Sequence, residues 1–84
     1  MANTRGGTVT LTASYALVDS SDTEMTELLT IRNANNNGTV TFSFDGSKDA
    51  GFLNGSEAKT FKNVGPARLY VRGTSDETLY WDAQ

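Results

Sequence analysis

Leu29-Thr30-Ile31-Arg32-Asn33-Ala34-Asn35-Asn36-Asn37-Gly38-Thr39-Val40-Thr41-Phe42-Ser43-Phe44 decides the fold class. On its C-terminal side, Val40, Phe42 and Phe44 alternate with Thr39, Thr41 and Ser43. That period of two marks a half-buried strand. On its N-terminal side, Met25, Glu27, Leu29 and Ile31 alternate with Thr26, Leu28 and Thr30. A helix starting at Asp22 competes over Thr23 to Arg32, but the β-branched Thr26, Thr30 and Ile31 favour a strand. Asn and Gly between the two runs accept the positive φ of a hairpin turn, so the pair reads as an antiparallel hairpin.

The same pattern extends outward. Val9, Leu11, Ala13, Tyr15 and Leu17 alternate with Thr8, Thr10, Thr12 and Ser14 until Asp19-Ser20-Ser21-Asp22 turns the chain. Phe52-Leu53 is a short apolar run, and Ala58 to Phe61 a short strand. Arg68, Tyr70 and Arg72 alternate with Ala67, Leu69 and Val71. Leu79 and Trp81 face one way, Thr78 and Tyr80 the other. Turn signals recur roughly every 8–12 residues, which predicts an all-β fold, a small antiparallel sandwich or barrel of about seven short strands. The expected core is Val9, Leu11, Leu29, Ile31, Val40, Phe42, Phe44, Phe61, Leu69, Val71 and Leu79. Residues 1–7, polar and glycine-containing, read as a flexible arm before a single domain over 8–84.

Composition narrows the function. With 84 residues, the chain forms one thin-cored domain of a size usually helped by disulfides, metals or oligomerisation. It has no Cys and no His, which closes the disulfide route and disfavours a zinc or iron site. A homo-oligomer or a larger docking partner is the expected support. Seven Lys and Arg against ten Asp and Glu give a net charge of −3, unsuited to a nucleic-acid partner. No apolar run has the length of a membrane span, and the start lacks the apolar stretch of a secretory signal.

Neither a Ser-His-Asp nor a Cys-His arrangement can be assembled, and the carboxylates fall in turns and on polar strand positions. No enzyme and no cofactor is expected. Asp45-Gly46-Ser47-Lys48-Asp49-Ala50-Gly51 spaces its oxygens like a calcium loop. However, Gly51 falls one place late and Ser56 occupies the twelfth position, so a polar turn is the better reading. Asn37-Gly38-Thr39 and Asn54-Gly55-Ser56 match the spacing of glycosylation acceptors. The aromatics carry more information. Tyr70 and Tyr80 oppose apolar neighbours and are expected to point outward, as aromatics do at interfaces. Arg68, Tyr70 and Arg72 form an expected Arg-Tyr-Arg stripe, which with Tyr80 makes the candidate partner interface. The competing expectation for the two arginines is cross-strand pairing with Glu24, Glu27 or Asp82.

Several segments together resemble the small virion proteins of tailed bacteriophages. They are the Thr-rich strand Thr8-Val9-Thr10-Leu11-Thr12-Ala13, the strand ending Leu29-Thr30-Ile31-Arg32-Asn33, the Phe44-Asp45-Gly46 ending, the Gly55 to Phe61 segment, and Leu69-Tyr70-Val71-Arg72-Gly73-Thr74. The likeness to head decoration (cement) proteins covers nearly the whole chain as a style and rests on no diagnostic motif. It implies a non-enzymatic, oligomeric protein of the virion, assembled in the bacterial cytoplasm. Its partner would be the major capsid protein on the outer surface of the head. A carbohydrate- or receptor-binding module, or a tail or head-tail adaptor, is the alternative.

Overall fold

The computed structural model describes residues 5–19, 27–35, 38–65 and 68–84. Among them are eight strands and no α-helix: β1 (Arg5–Thr10), β2 (Ala16–Leu17), β3 (Leu28–Asn33), β4 (Val40–Ser43), β5 (Gly51–Leu53), β6 (Ala58–Lys62), β7 (Tyr70–Arg72) and β8 (Thr78–Ala83). They form two antiparallel four-stranded sheets, β1-β8-β3-β6 and β2-β7-β4-β5. The architecture is a sandwich, not a closed barrel. Each inner face supplies alternating apolar side chains: Leu29, Ile31, Phe61, Leu79, Trp81 and Ala83 from the first sheet, and Val40, Phe42, Leu53 and Val71 from the second. Leu11, Val18 and Leu69 fill the layer from the connections.

Three sequence expectations are corrected by this topology. The first concerns the hairpin over residues 29–44. β3 and β4 lie in different sheets, so the Asn-rich segment is a corner between the layers, not a hairpin tip. The cause is Asn33, which is buried at the end of β3. Its Nδ2 donates to the carbonyls of Gly38 (3.2 Å) and Asn54 (3.2 Å). Its Oδ1 accepts from the Asn35 amide (3.1 Å) and Asn35 Nδ2 (3.0 Å). Asn35 Nδ2 also reaches the Thr78 carbonyl at 3.0 Å. These bonds tie the corner to the β5–β6 turn and to the start of β8. Asn36 and Asn37 lie outside the described residues.

The second correction concerns residues 8–17, which are not one strand. The chain leaves the first sheet after Thr10. Leu11 enters the core, with its amide donating to the Glu77 carbonyl at 2.7 Å. The Thr12 hydroxyl then bonds the Ser14 carbonyl at 3.0 Å, a local bond that competes with strand pairing. The chain resumes as β2 in the second sheet. Ala13 is accordingly exposed, and Tyr15 and Leu17 are half-buried.

The third concerns the arm. Arg5, Gly6 and Gly7 belong to β1 and pair with Ala83, Asp82 and Trp81 of β8. A Cβ on Gly7 would stand 3.3 Å from Trp81 Nε1, so this glycine permits close approach to the indole where flexibility was expected. Residues 1–4 lie outside the described set, as do residues 20–26, which hold the first part of the expected strand before Leu28.

The expected core is largely in place, with Val9 only partly buried against it. Phe44 is the exception and is 51% exposed. It follows the last residue of β4, where alternation no longer fixes its direction. No helix among the described residues is long and apolar enough to cross a membrane.

Candidate partner interface

The four residues expected to form one interface are divided between the two sheets. β7 turns Val71 inward and so places Tyr70 and Arg72 on the outer face of the second sheet. Arg68 precedes the strand, its amide donating to the Gly65 carbonyl at 2.9 Å. Tyr80 lies on the first sheet and faces the opposite way.

The outer face of the second sheet does not present a free Arg-Tyr-Arg stripe. The β4–β5 connection, residues 44–50, folds back across it. Gly46 sits against the Tyr70 ring, leaving Tyr70 half-buried. Asp49 reaches Arg72, whose Nη2 donates to both carboxylate oxygens at 3.2 and 3.1 Å. The Tyr15 hydroxyl donates to the same carboxylate, and the Arg72 guanidinium lies over the Tyr15 ring, 5.0 Å from its centroid. The expected partners Glu27 and Asp82 belong to the first sheet, out of cross-strand register with β7, and Glu24 lies outside the described residues. Both Arg72 and Asp49 keep substantial exposure, so solvent screens the pair and it adds little to stability. Its role is to position the connection.

That connection also holds the calcium-like spacing of Asp45 to Gly51. Asp45 turns inward on its own loop and accepts from the amides of Lys48 (2.8 Å) and Ser47 (2.9 Å) and from the Ser43 hydroxyl (2.9 Å). Asp49 is committed to Arg72 and Tyr15. Each carboxylate is thus hydrogen-bonded within the protein, and no cluster of three His, Cys, Asp or Glu able to hold a metal ion occurs among the described residues.

The Lys48 and Ser47 amides and the Ser43 hydroxyl lower the Asp45 pKa to about 2. The Tyr15 hydroxyl, followed by the Arg72 charge, holds Asp49 below the usual carboxylate range. A depressed folded-state pKa contributes stability above the unfolded value, which is lost as the pH falls through the folded one. Stability should therefore fall between about pH 4 and pH 2. Asp45→Asn should make that fall shallower. Urea unfolding at stepped pH checks this, and an unchanged slope in the variant would contradict it.

The open surface is the outer face of the first sheet. Its register sets Thr8, Tyr80, Arg32 and Ala58 in one row across all four strands, and Gly6, Asp82, Thr30 and Thr60 in the next. Tyr80 is 52% exposed at the centre. Among the described residues, Tyr80, Arg32 and Asp82 make no side-chain hydrogen bond or ion pair. Thr30 and Thr60 share a hydroxyl bond of 2.8 Å. A shallow groove of ≈ 360 Å³ runs between Tyr80, Arg32, Ala58 and Asp82. The small neighbours leave Tyr80 and Arg32 side by side as the large side chains of their row. Those two residue types dominate interface energies, whereas Thr contributes little. Arg32 was not singled out from the sequence. Its place beside Tyr80 follows only from the pairing of β3 with β8.

Comparisons with protein-family models, with curated proteins and with solved structures return no match.

Proposed function

We propose that this chain is a non-enzymatic head decoration (cement) protein of a tailed bacteriophage. It binds the outer surface of the assembled head through the Tyr80–Arg32 face and stabilises the shell. The observation that carries the reading is that exposed sheet face, on which Tyr80 and Arg32, without a side-chain hydrogen bond or ion pair among the described residues, stand among Thr, Ala and Gly. It is suited to lying on a broad protein surface. The resemblance of the sequence to small phage virion proteins points the same way. A ligand that binds only the assembled shell stabilises it by mass action, by about 2.7 kcal/mol per site at one hundred times its dissociation constant. Adding the protein should therefore raise the melting temperature of purified heads of the phage that encodes it. An unchanged melting temperature at saturating protein would count against the proposal.

A carbohydrate- or receptor-binding module is the second reading. The same groove favours it, because the Tyr80 ring can stack on a sugar while Arg32 and Asp82 meet hydroxyls. A glycan array separates the two, since a decoration protein gives no sugar signal. A tail or head-tail adaptor differs in copy number, with a few copies per particle in place of hundreds.

A further inference from the structure

The turn between β5 and β6, Asn54-Gly55-Ser56-Glu57, places its glycine where the backbone has no need of one. The Glu57 amide donates to the Asn54 carbonyl at 3.1 Å, and Ser56, third in the turn, has a φ of 63°. A positive φ at the third position is what a type II turn requires, and glycine is the residue favoured there. Here the glycine stands one place earlier. Gly55 is not at a positive φ, unlike Gly38 (87°) and Gly46 (81°). The consequence of a glycine after Asn54 is therefore chemical: no Cβ shields the Gly55 nitrogen.

Asn54 is bonded through its backbone alone. Its amide donates to Glu57 Oε1 at 2.7 Å, and its carbonyl accepts from Asn33 Nδ2 at 3.2 Å as well as from Glu57. Its side chain is exposed. Among the described residues, neither that side chain nor the Gly55 N–H makes a hydrogen bond. An electrophilic amide carbon and a free, unshielded nitrogen are thus adjacent in the chain. The other described asparagines lack this combination. Asn33 is buried with its amide group fully bonded, and Asn35 Nδ2 is bonded twice. Asn63 precedes Val64, whose β-branched side chain crowds the nitrogen.

We propose that Asn54 is a site of spontaneous deamidation in the folded chain. Asparagine is among the thermolabile residues. The Gly55 nitrogen, once solvent base has taken its proton, attacks Asn54 Cγ. The new N–Cγ bond closes a succinimide ring, and the side-chain nitrogen leaves as ammonia. Water then adds to one of the two ring carbonyls. Opening at Cγ gives aspartate, and opening at the backbone carbonyl gives isoaspartate. Water and base are the only co-reactants. Either product adds a carboxylate beside that of Glu57. Isoaspartate also lengthens the main chain by one atom and turns the carbonyl that receives Asn33 Nδ2 into the new carboxylate. The modification therefore loosens the layer-crossing corner that Asn33 holds.

The test is ageing of the full chain in mildly alkaline buffer, followed by peptide mapping by mass spectrometry and an isoaspartate assay. Aspartate and isoaspartate should accumulate at Asn54 ahead of Asn33, Asn35 and Asn63, and faster as the pH rises. Gly55→Ala should suppress the conversion with the circular dichroism spectrum retained, because the φ of Gly55 is open to alanine. The separated converted form should unfold at lower urea than fresh protein. Its Ser56 amide, which donates to the Asn35 carbonyl at 2.9 Å, should exchange hydrogen faster. An Asn54 that stays intact in native buffer and converts only in urea would overturn the proposal, because the folded turn would then protect it. So would a Gly55→Ala chain that converts as fast as wild type, or a converted form of unchanged stability.

Discussion

Phe42→Ala is expected to cost about 3–5 kcal/mol, the range for truncating a buried aromatic. For a chain of this length that is a large part of a total of roughly 4–12 kcal/mol. Phe42 is nearly fully buried and joins the two sheets, its ring meeting Phe61 of β6 edge-on at a centroid distance of 5.1 Å. It also covers Gly51, its partner on the edge strand β5. A Cβ at Gly51 would stand 2.5 Å from Phe42 Cζ, too close without a shift of the ring or strand. Gly51→Ala alone should therefore destabilise by about 1–3 kcal/mol, as overpacking does. In the Phe42→Ala background the same change should be near neutral. A double-mutant cycle by urea unfolding reads this coupling. Additive costs would show that the ring does not press on Gly51.

Asn33→Ala is the second large effect, with an expected cost of about 3 kcal/mol. Asn33 is 1% exposed and makes four hydrogen bonds, two donated and two accepted. Its loss leaves the Gly38 and Asn54 carbonyls and the Asn35 amide short of partners at the corner where the chain changes sheets. Each hydrogen bond contributes about 0.5–1.5 kcal/mol net, and four are lost at once, although Gly38 and Asn54 are exposed and Asn35 is half-buried so that water recovers part of the loss. Hydrogen exchange at the Asn35 and Ser56 amides should rise more than exchange in β8. A cost below about 1 kcal/mol would mean that the corner is held by its backbone bonds alone.

These two sites differ in how far the sequence announced them. Phe42 sits in an alternating run, and alternation fixed the facing of Val40, Phe42, Val71, Leu79 and Trp81 because each lies inside a strand buried on one side. It failed at Phe44, one residue beyond β4, where Ser43 turns its hydroxyl to the Asp45 and Gly46 amides and bends the chain away. Asn33 was read only as the start of a turn. An Asn-rich turn with glycine serves a hairpin and a layer-crossing corner equally well, and only the burial of Asn33 distinguishes them. At the candidate interface the facing of single residues was legible, whereas Arg32 was not singled out and the assembly was not visible. Tyr70, Arg72 and Tyr80 all point outward as expected. The docking of residues 44–50 on Tyr15, Tyr70 and Arg72 is a tertiary event with no local signature, as is the row that sets Arg32 beside Tyr80.

Binding of the Tyr80–Arg32 face to an assembled phage head, as proposed, can be measured on purified components. Co-sedimentation of the purified chain with mature heads of the phage that encodes it tests this most directly. Saturable pelleting at a fixed ratio to the major capsid protein is expected, with hundreds of copies per particle, and a loss of at least about tenfold in affinity for Tyr80→Ala paired with Arg32→Ala. A chain that stays in the supernatant, or a double variant that pellets like wild type, would contradict it.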